Sequence, residues 1–61
     1  MDTWELDNPT PEQVSFLKEW IRGMGIVQRI DSRYVNVEIH PDGTDELVQF
    51  CEDNNIECRL I

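Results

Sequence analysis

The sequence predicts an α+β two-layer sandwich with elements in the order βαββαβ. The expected sheet is antiparallel, in strand order 4-1-3-2, with both helices on one face. Three observations carry this. Two alternating apolar runs, 26–30 and 34–39, stand back to back around Asp31-Ser32-Arg33. Two amphipathic stretches with helix-start chemistry, opening at Thr10 and Thr44, flank that pair. A short strand-like run closes each end, Thr3–Leu6 and Ile56–Ile61.

Each element has a local cause. In Thr3–Leu6, Trp4 and Leu6 fall on one side and Thr3 and Glu5 on the other, the period-2 pattern of a half-buried strand. Asp7-Asn8-Pro9 breaks it. Thr10 then serves as N-cap, Pro11 sits where a missing N–H costs nothing, and Gln13 closes a capping box. At 100° per residue Val14, Phe16, Leu17, Trp20, Ile21 and Met24 share one arc, and a stop is expected at Gly23 or Gly25. Ile26–Ile30 alternates poorly because Gln28 falls between the isoleucines, which marks an edge strand. Tyr34–Ile39 alternates cleanly, with Val35, Val37 and Ile39 inward. Pro41-Asp42-Gly43 turns the chain, and Thr44 is the expected cap of a second helix whose apolar arc is Leu47, Val48, Phe50 and Cys51. Asn54-Asn55 suits a left-handed stop, and Ile56, Cys58 and Leu60 are expected to point inward from the last strand. Trp4, Leu17, Ile21, Val35, Val37, Leu47 and Ile56 make the expected core.

At 61 residues and 7.2 kDa the chain is one domain. Surface scaling gives about 4,100 Å² folded and about 10,400 Å² unfolded, so about 60% of the surface is buried on folding. With about 60% of that area apolar, burial contributes about 95 kcal/mol at ~25 cal/mol/Å². Ordering the chain costs about 92 kcal/mol at ~1.5 kcal/mol per residue. So narrow a margin leaves no room for a deep cleft lined by buried polar groups.

The net charge of −8 is unevenly spread. Residues 1–13 carry −4, residues 14–34 carry +2 (Lys18, Arg22, Arg29 and Arg33 against Glu19 and Asp31), and residues 35–61 carry −6. Such a surface repels phosphate backbones and is drawn to basic patches, so direct nucleic-acid binding is disfavoured. Two cysteines are too few for a disulfide framework. Asp2 follows Met1, no apolar leader segment appears and no run is long enough to span a membrane. A cytoplasmic, reducing setting with free thiols and no membrane partner is the expectation.

Both βαβ crossovers must be right-handed. With the two middle strands paired as a hairpin, this split βαβ pattern resembles the ferredoxin-like superfold in a near-minimal form. The resemblance rests on element order across the whole chain and implies a fold only. The superfold's signatures of function, a Cys-x-x-Cys metal loop or an aromatic-rich RNA platform, are missing, and Tyr34 is the one aromatic of the open sheet face.

No residue set points to catalysis or to a cofactor. Cys51 and Cys58 fall on inward faces and His40 lacks an orienting partner, so they read as small core residues and a turn histidine. His40 and Asp42 are two ligands on one turn, short of a metal site. Asp42-Gly43-Thr44-Asp45 lacks the alternating ligands and closing glutamate of a calcium loop. Gly23-x-Gly25 ends a helix, whereas a phosphate cradle opens one.

The second helix is the most suggestive element. Asp45, Glu46, Glu52 and Asp53 share its outer face with no cation among them, Glu38 adds charge on the sheet, and Phe16 is the candidate apolar anchor. A solvated face is the plain reading. The functional reading is a small regulator or inhibitor that docks on the basic surface of a partner protein, of the kind a phage or mobile element uses against a nucleic-acid-binding protein. One alternative is a small-anion ligand site or small enzyme on the open sheet face, using Arg29, Tyr34 and Arg59 beside Glu38. Another is a structural homodimer joined through the open face or an edge strand.

Overall fold

The computed structural model describes all of residues 1–61. A four-stranded antiparallel sheet is built from β1 (Asp2–Asp7), β2 (Gly25–Arg29), β3 (Tyr34–Ile39) and β4 (Cys58–Leu60), in the order β2-β3-β1-β4. Two helices, α1 (Pro11–Trp20) and α2 (Thr44–Asp53), complete the expected βαββαβ order. Read from the other edge, the strand order is the one predicted.

β1 and β3 form the centre, in register from Asp2↔Ile39 to Asp7↔Tyr34. That register puts Leu6, Val35, Val37 and Ile39, each at 0% exposure, on one face. Val14, Leu17 and Ile21 of the α1 segment, with Leu47, Phe50, Cys51 and Ile56 of the α2 segment, join them in a single cluster, so both helices cover that face. Of the seven expected core residues only Trp4 is half-buried, packed at the cluster's margin. The folded surface is 4090 Å².

The helix ends are chemically specified. Thr10 Oγ1 accepts from the Gln13 N–H at 3.1 Å, and Gln13 Oε1 accepts from the Thr10 N–H at 2.8 Å, a closed capping box. α2 ends in a Schellman motif: Asn55 is left-handed at φ 55°, and the Ile56 N–H donates to the Cys51 carbonyl at 2.8 Å. The hydrophobic contact that usually accompanies this motif is present, since Ile56 and Cys51 share the core.

Several boundaries differ from the sequence reading. α1 ends at Trp20 with Ile21 as its C-cap, before either glycine; Gly23, at φ 85°, then reverses the chain into β2. A 3₁₀ turn, Pro41–Gly43, feeds directly into α2, so Thr44 is already helical at φ −61°, ψ −43° and Gly43 holds the cap position. The Thr44 hydroxyl is therefore in the helix, buried without a partner, and does not cap. The last strand is Cys58–Leu60, not 56–61, because Ile56 is consumed by the helix stop. Leu60 pairs with Trp4 on the helix-side face yet stays 60% exposed, since the core does not extend over this edge. In β2, Val27 packs against the core while Ile26, and Ile30 just past the strand's end, stand exposed. β2 is an edge strand, as its broken alternation suggested.

Gly25 opens β2 opposite Ile39, and a Cβ there would drive into the Glu38 carbonyl oxygen. Gly25→Ala should therefore destabilise the domain by about 3 kcal/mol, the upper end for overpacking, measured by urea melts. Gly23→Ala meets no atom, and its left-handed backbone should cost only about 1–2 kcal/mol.

Cys51 is 1% exposed, and Cys58 is half-buried beside it on the core face of β4. Burial, reinforced by the neighbouring Cys58 thiol, pushes the Cys51 thiol up to about 12. At neutral pH it is protonated and a poor nucleophile. Alkylation of the native protein should modify Cys58 first and reach Cys51 only on unfolding, read by intact mass. Cys51→Ala should cost about 1–3 kcal/mol through lost packing.

Candidate protein-docking face

The capping box sets where α1 begins and hence its rotational phase. With Val14, Leu17 and Ile21 turned down onto the sheet, Phe16 and Trp20 are carried to the flank that faces α2. Phe50 comes from α2 to meet both. Its ring lies edge-on to Phe16 at 5.8 Å and to Trp20 at 6.4 Å, separations typical of edge-to-face pairs. Phe50 is 8% exposed while Phe16 remains 63% exposed, so the seam between the helices has an apolar floor open to solvent.

Acidic groups rim that floor. Glu46, Gln49, Asp53 and Asn54 border it from α2, and Glu12 and Gln13 from the start of α1. The Gln13 side-chain amide donates to Asn54 Oδ1 at 3.4 Å across the seam, and Gln49 donates to Asp53 Oδ1 at 2.9 Å. None of the three carboxylates has a cationic partner. The molecule's ion pairs are Arg33–Asp7 and Arg59–Glu5, both elsewhere.

The structure thus divides the residues singled out by sequence. Phe16, Glu46 and Asp53 converge on the groove. Asp45 and Glu52 occupy the far flank of α2, exposed but outside it. Glu38 lies on the opposite face of the sheet, level with Thr3 and Ile26. Three groove residues were read otherwise. Trp20 and Phe50 read from sequence as members of the apolar arcs of their helices, and Glu12 only as an acid in the first turn of α1; in the structure Trp20 is half-buried. The i, i+4 spacing of Phe16 and Trp20 was the available signal, but it does not say which helix they meet.

Of the residues grouped as an anion site, Tyr34 and Arg59 come together and Arg29 does not join them. Tyr34 and Arg59 share the open sheet face, but Arg29 pairs with Val35 in register and belongs to the helix-side face. Arg59 Nε is held by Glu5 Oε1 at 2.8 Å. Arg33, not Arg29, accompanies Tyr34: its guanidinium stands 5.4 Å from the ring centroid and grips Asp7 through Nε at 2.7 Å and Nη2 at 3.0 Å. The depression there is lined by Glu5, Asp7, Glu57, Tyr34, Cys58 and Arg59, three carboxylates to one arginine already paired. Its sign is wrong for an anion.

His40 Nδ1 accepts from the Asp42 N–H at 3.2 Å and so caps the 3₁₀ turn. No three His, Cys, Asp or Glu side chains converge into a group that could hold a metal ion. No helix is long and apolar enough to cross a membrane. Comparison with protein families, curated proteins and solved structures gives no significant match to any of them.

Two carboxylates at the hairpin end of the sheet are held below the ordinary carboxylate range for different reasons. Asp7 is lowered mainly by its hydrogen bond with Arg33, and Asp31 mainly by the Tyr34 and Arg33 backbone N–H groups. A folded-state pKa below the unfolded one adds stability at neutral pH that is lost as pH falls through the folded value. Carboxyl-detected NMR titration should show both groups titrating low. Arg33→Gln should return Asp7 toward its ordinary value and leave most of the Asp31 shift in place.

Proposed function

We propose that this chain is a cytoplasmic protein-interaction module of ferredoxin-like fold, a regulator or inhibitor that works by binding and not by catalysis. Its helix layer docks on a basic surface of a partner protein. The observation that carries the reading is Phe16, 63% exposed between two helices and rimmed by Glu12, Glu46 and Asp53, none of them ion-paired. A fully exposed acidic ridge would be accounted for by solubility alone. An aromatic floor beneath an acidic rim is the arrangement of an interface, with an apolar anchor at the centre and charge at the edge.

The two parts have different tasks. Burying the Phe16 ring against a partner contributes up to about 1.5–3 kcal/mol. The rim charges raise the encounter rate and select a partner with lysines or arginines around an apolar contact. A surface of that composition is one that otherwise meets nucleic acid, so occupying it would make the module an inhibitor. The ferredoxin-like assignment is supported by the βαββαβ order, the β2-β3-β1-β4 sheet and the placement of both helices on one face.

Affinity capture from the native host's lysate tests the reading when three variants are run beside the wild type. Glu46→Lys with Asp53→Lys should abolish capture of the partner, and Phe16→Ala should weaken it at least tenfold. Asp45→Lys with Glu52→Lys, on the far flank, should leave binding within about threefold at low salt. All these sites are exposed, so circular dichroism should report an intact fold. Wild-type capture should also weaken with added salt. Equal capture by the first pair and by wild type at low salt would reduce the groove to a solvated surface.

A further inference from the structure

The β2 edge is open, and its chemistry is opposite to that of the groove. In the β2–β3 ladder, Ile30 donates to the Tyr34 carbonyl and His40 to the Met24 carbonyl. Hydrogen-bonded pairs alternate along an antiparallel ladder, so Ile26 and Gln28 are the other residues whose backbone groups face β3. The N–H and C=O groups of Gly25, Val27 and Arg29 therefore point away from the sheet, and β2 has no second neighbour. No proline and no lysine blunts this edge, the usual protections of an exposed strand. The other edge, β4, is only three residues long.

The charge along this edge follows from the phase of α1. Phe16 and Trp20 face α2, so Lys18 lies on the opposite flank of α1; Arg22 follows in the turn that leads into β2, and α1 packs against β2. Arg29 projects from the helix-side face of β2 itself. None of these three is in a salt bridge, whereas Arg33 and Arg59 are engaged by Asp7 and Glu5; Arg29 lies near Asp31, donating through Nη1 to its carbonyl at 3.5 Å. On the other face the same strand exposes Ile26 and Ile30, at 58% and 54%.

We propose that the β2 edge binds an extended segment of another protein by strand addition, and that this segment alternates carboxylates with apolar residues. Free backbone groups on Gly25, Val27 and Arg29 would pair with it. Its apolar side chains would lie beside Ile26 and Ile30, and its carboxylates on the helix side beside Arg29, Lys18 and Arg22. A second copy of this chain fits less well, because pairing β2 with β2 brings two basic strips together. This site is distinct from the α1–α2 groove and does not depend on what the groove binds.

The test titrates the ¹⁵N-labelled chain with blocked heptapeptides of alternating Val and Glu, or of alternating Val and Lys. The Glu peptide should shift the Gly25, Val27 and Arg29 amides and slow their hydrogen exchange at least tenfold at saturation. The Lys peptide should do neither. Arg29→Pro removes an N–H that faces away from β3, so the ladder survives, and it should abolish binding. Lys18→Gln with Arg22→Gln and Arg29→Gln leaves the backbone untouched and should weaken the Glu peptide at least tenfold. Equal binding of the two peptides, protection at Cys58 and Leu60 in place of β2, or unchanged binding by the glutamine variant would overturn the proposal. So would a concentration-dependent dimer that protects the same three amides without peptide.

Discussion

β1 and β3 are paired over six residues, and that register decides which face of the sheet is dry. One step of slippage of β3 against β1 would turn Val35, Val37 and Ile39 to water and Tyr34, Asn36 and Glu38 to the helices, while Leu6 stayed on its face. With the register set, the sheet offers a single apolar face, and both helices must lie on it. A domain of this size has no other area to bury. The two helices are consequently side by side, and the seam between them is an unavoidable surface feature. What lines that seam then depends on helix phase.

α1 is the divider of the molecule. Its lower face holds Val14 and Leu17, with Ile21 at its cap, on the sheet; one flank carries Phe16 and Trp20 toward α2 and the other carries Lys18, with Arg22 in the turn that follows. The acidic groups of α2 are thus kept on one side and the free cations on the other. The sequence already groups charge into acidic, basic and acidic segments, but a linear grouping need not survive folding. Here it does, because the positive segment is one continuous helix–turn–edge-strand unit at one end of the sheet. The result is a small domain with two surfaces of opposite chemistry, an acid-rimmed aromatic groove and a basic strand edge.

The open sheet face plays a different part. Its ion pairs join residues far apart in the chain, Asp7 with Arg33 and Glu5 with Arg59, and tie the hairpin and the last strand to β1. Both arginines are largely exposed, at 62% and 74% of their side chains, so solvent screens these pairs and their contribution to stability is small. Their larger consequence is to neutralise two of the five cations, which leaves Lys18, Arg22 and Arg29 as the cations outside salt bridges.

Local chemistry made the elements legible. Thr10 and Gln13 announce the start of α1, Asn55 the end of α2, and the alternation of Val35, Val37 and Ile39 the face that β3 buries, because caps and strand period act over a few residues. Those signals yielded the element order, the sheet order and nearly all of the core. They also flagged Phe16 and the acidic outer face of α2. Tertiary structure alone decided that Phe16 meets Phe50, that Glu46 and Asp53 rim the groove while Asp45 and Glu52 do not, and that Arg29 faces away from Tyr34. It likewise decided the pairing of Arg33 with Asp7, 26 residues away, and of Arg59 with Glu5, 54 away. Such juxtapositions depend on where two separately phased elements come to rest against each other, and no local propensity encodes that relation.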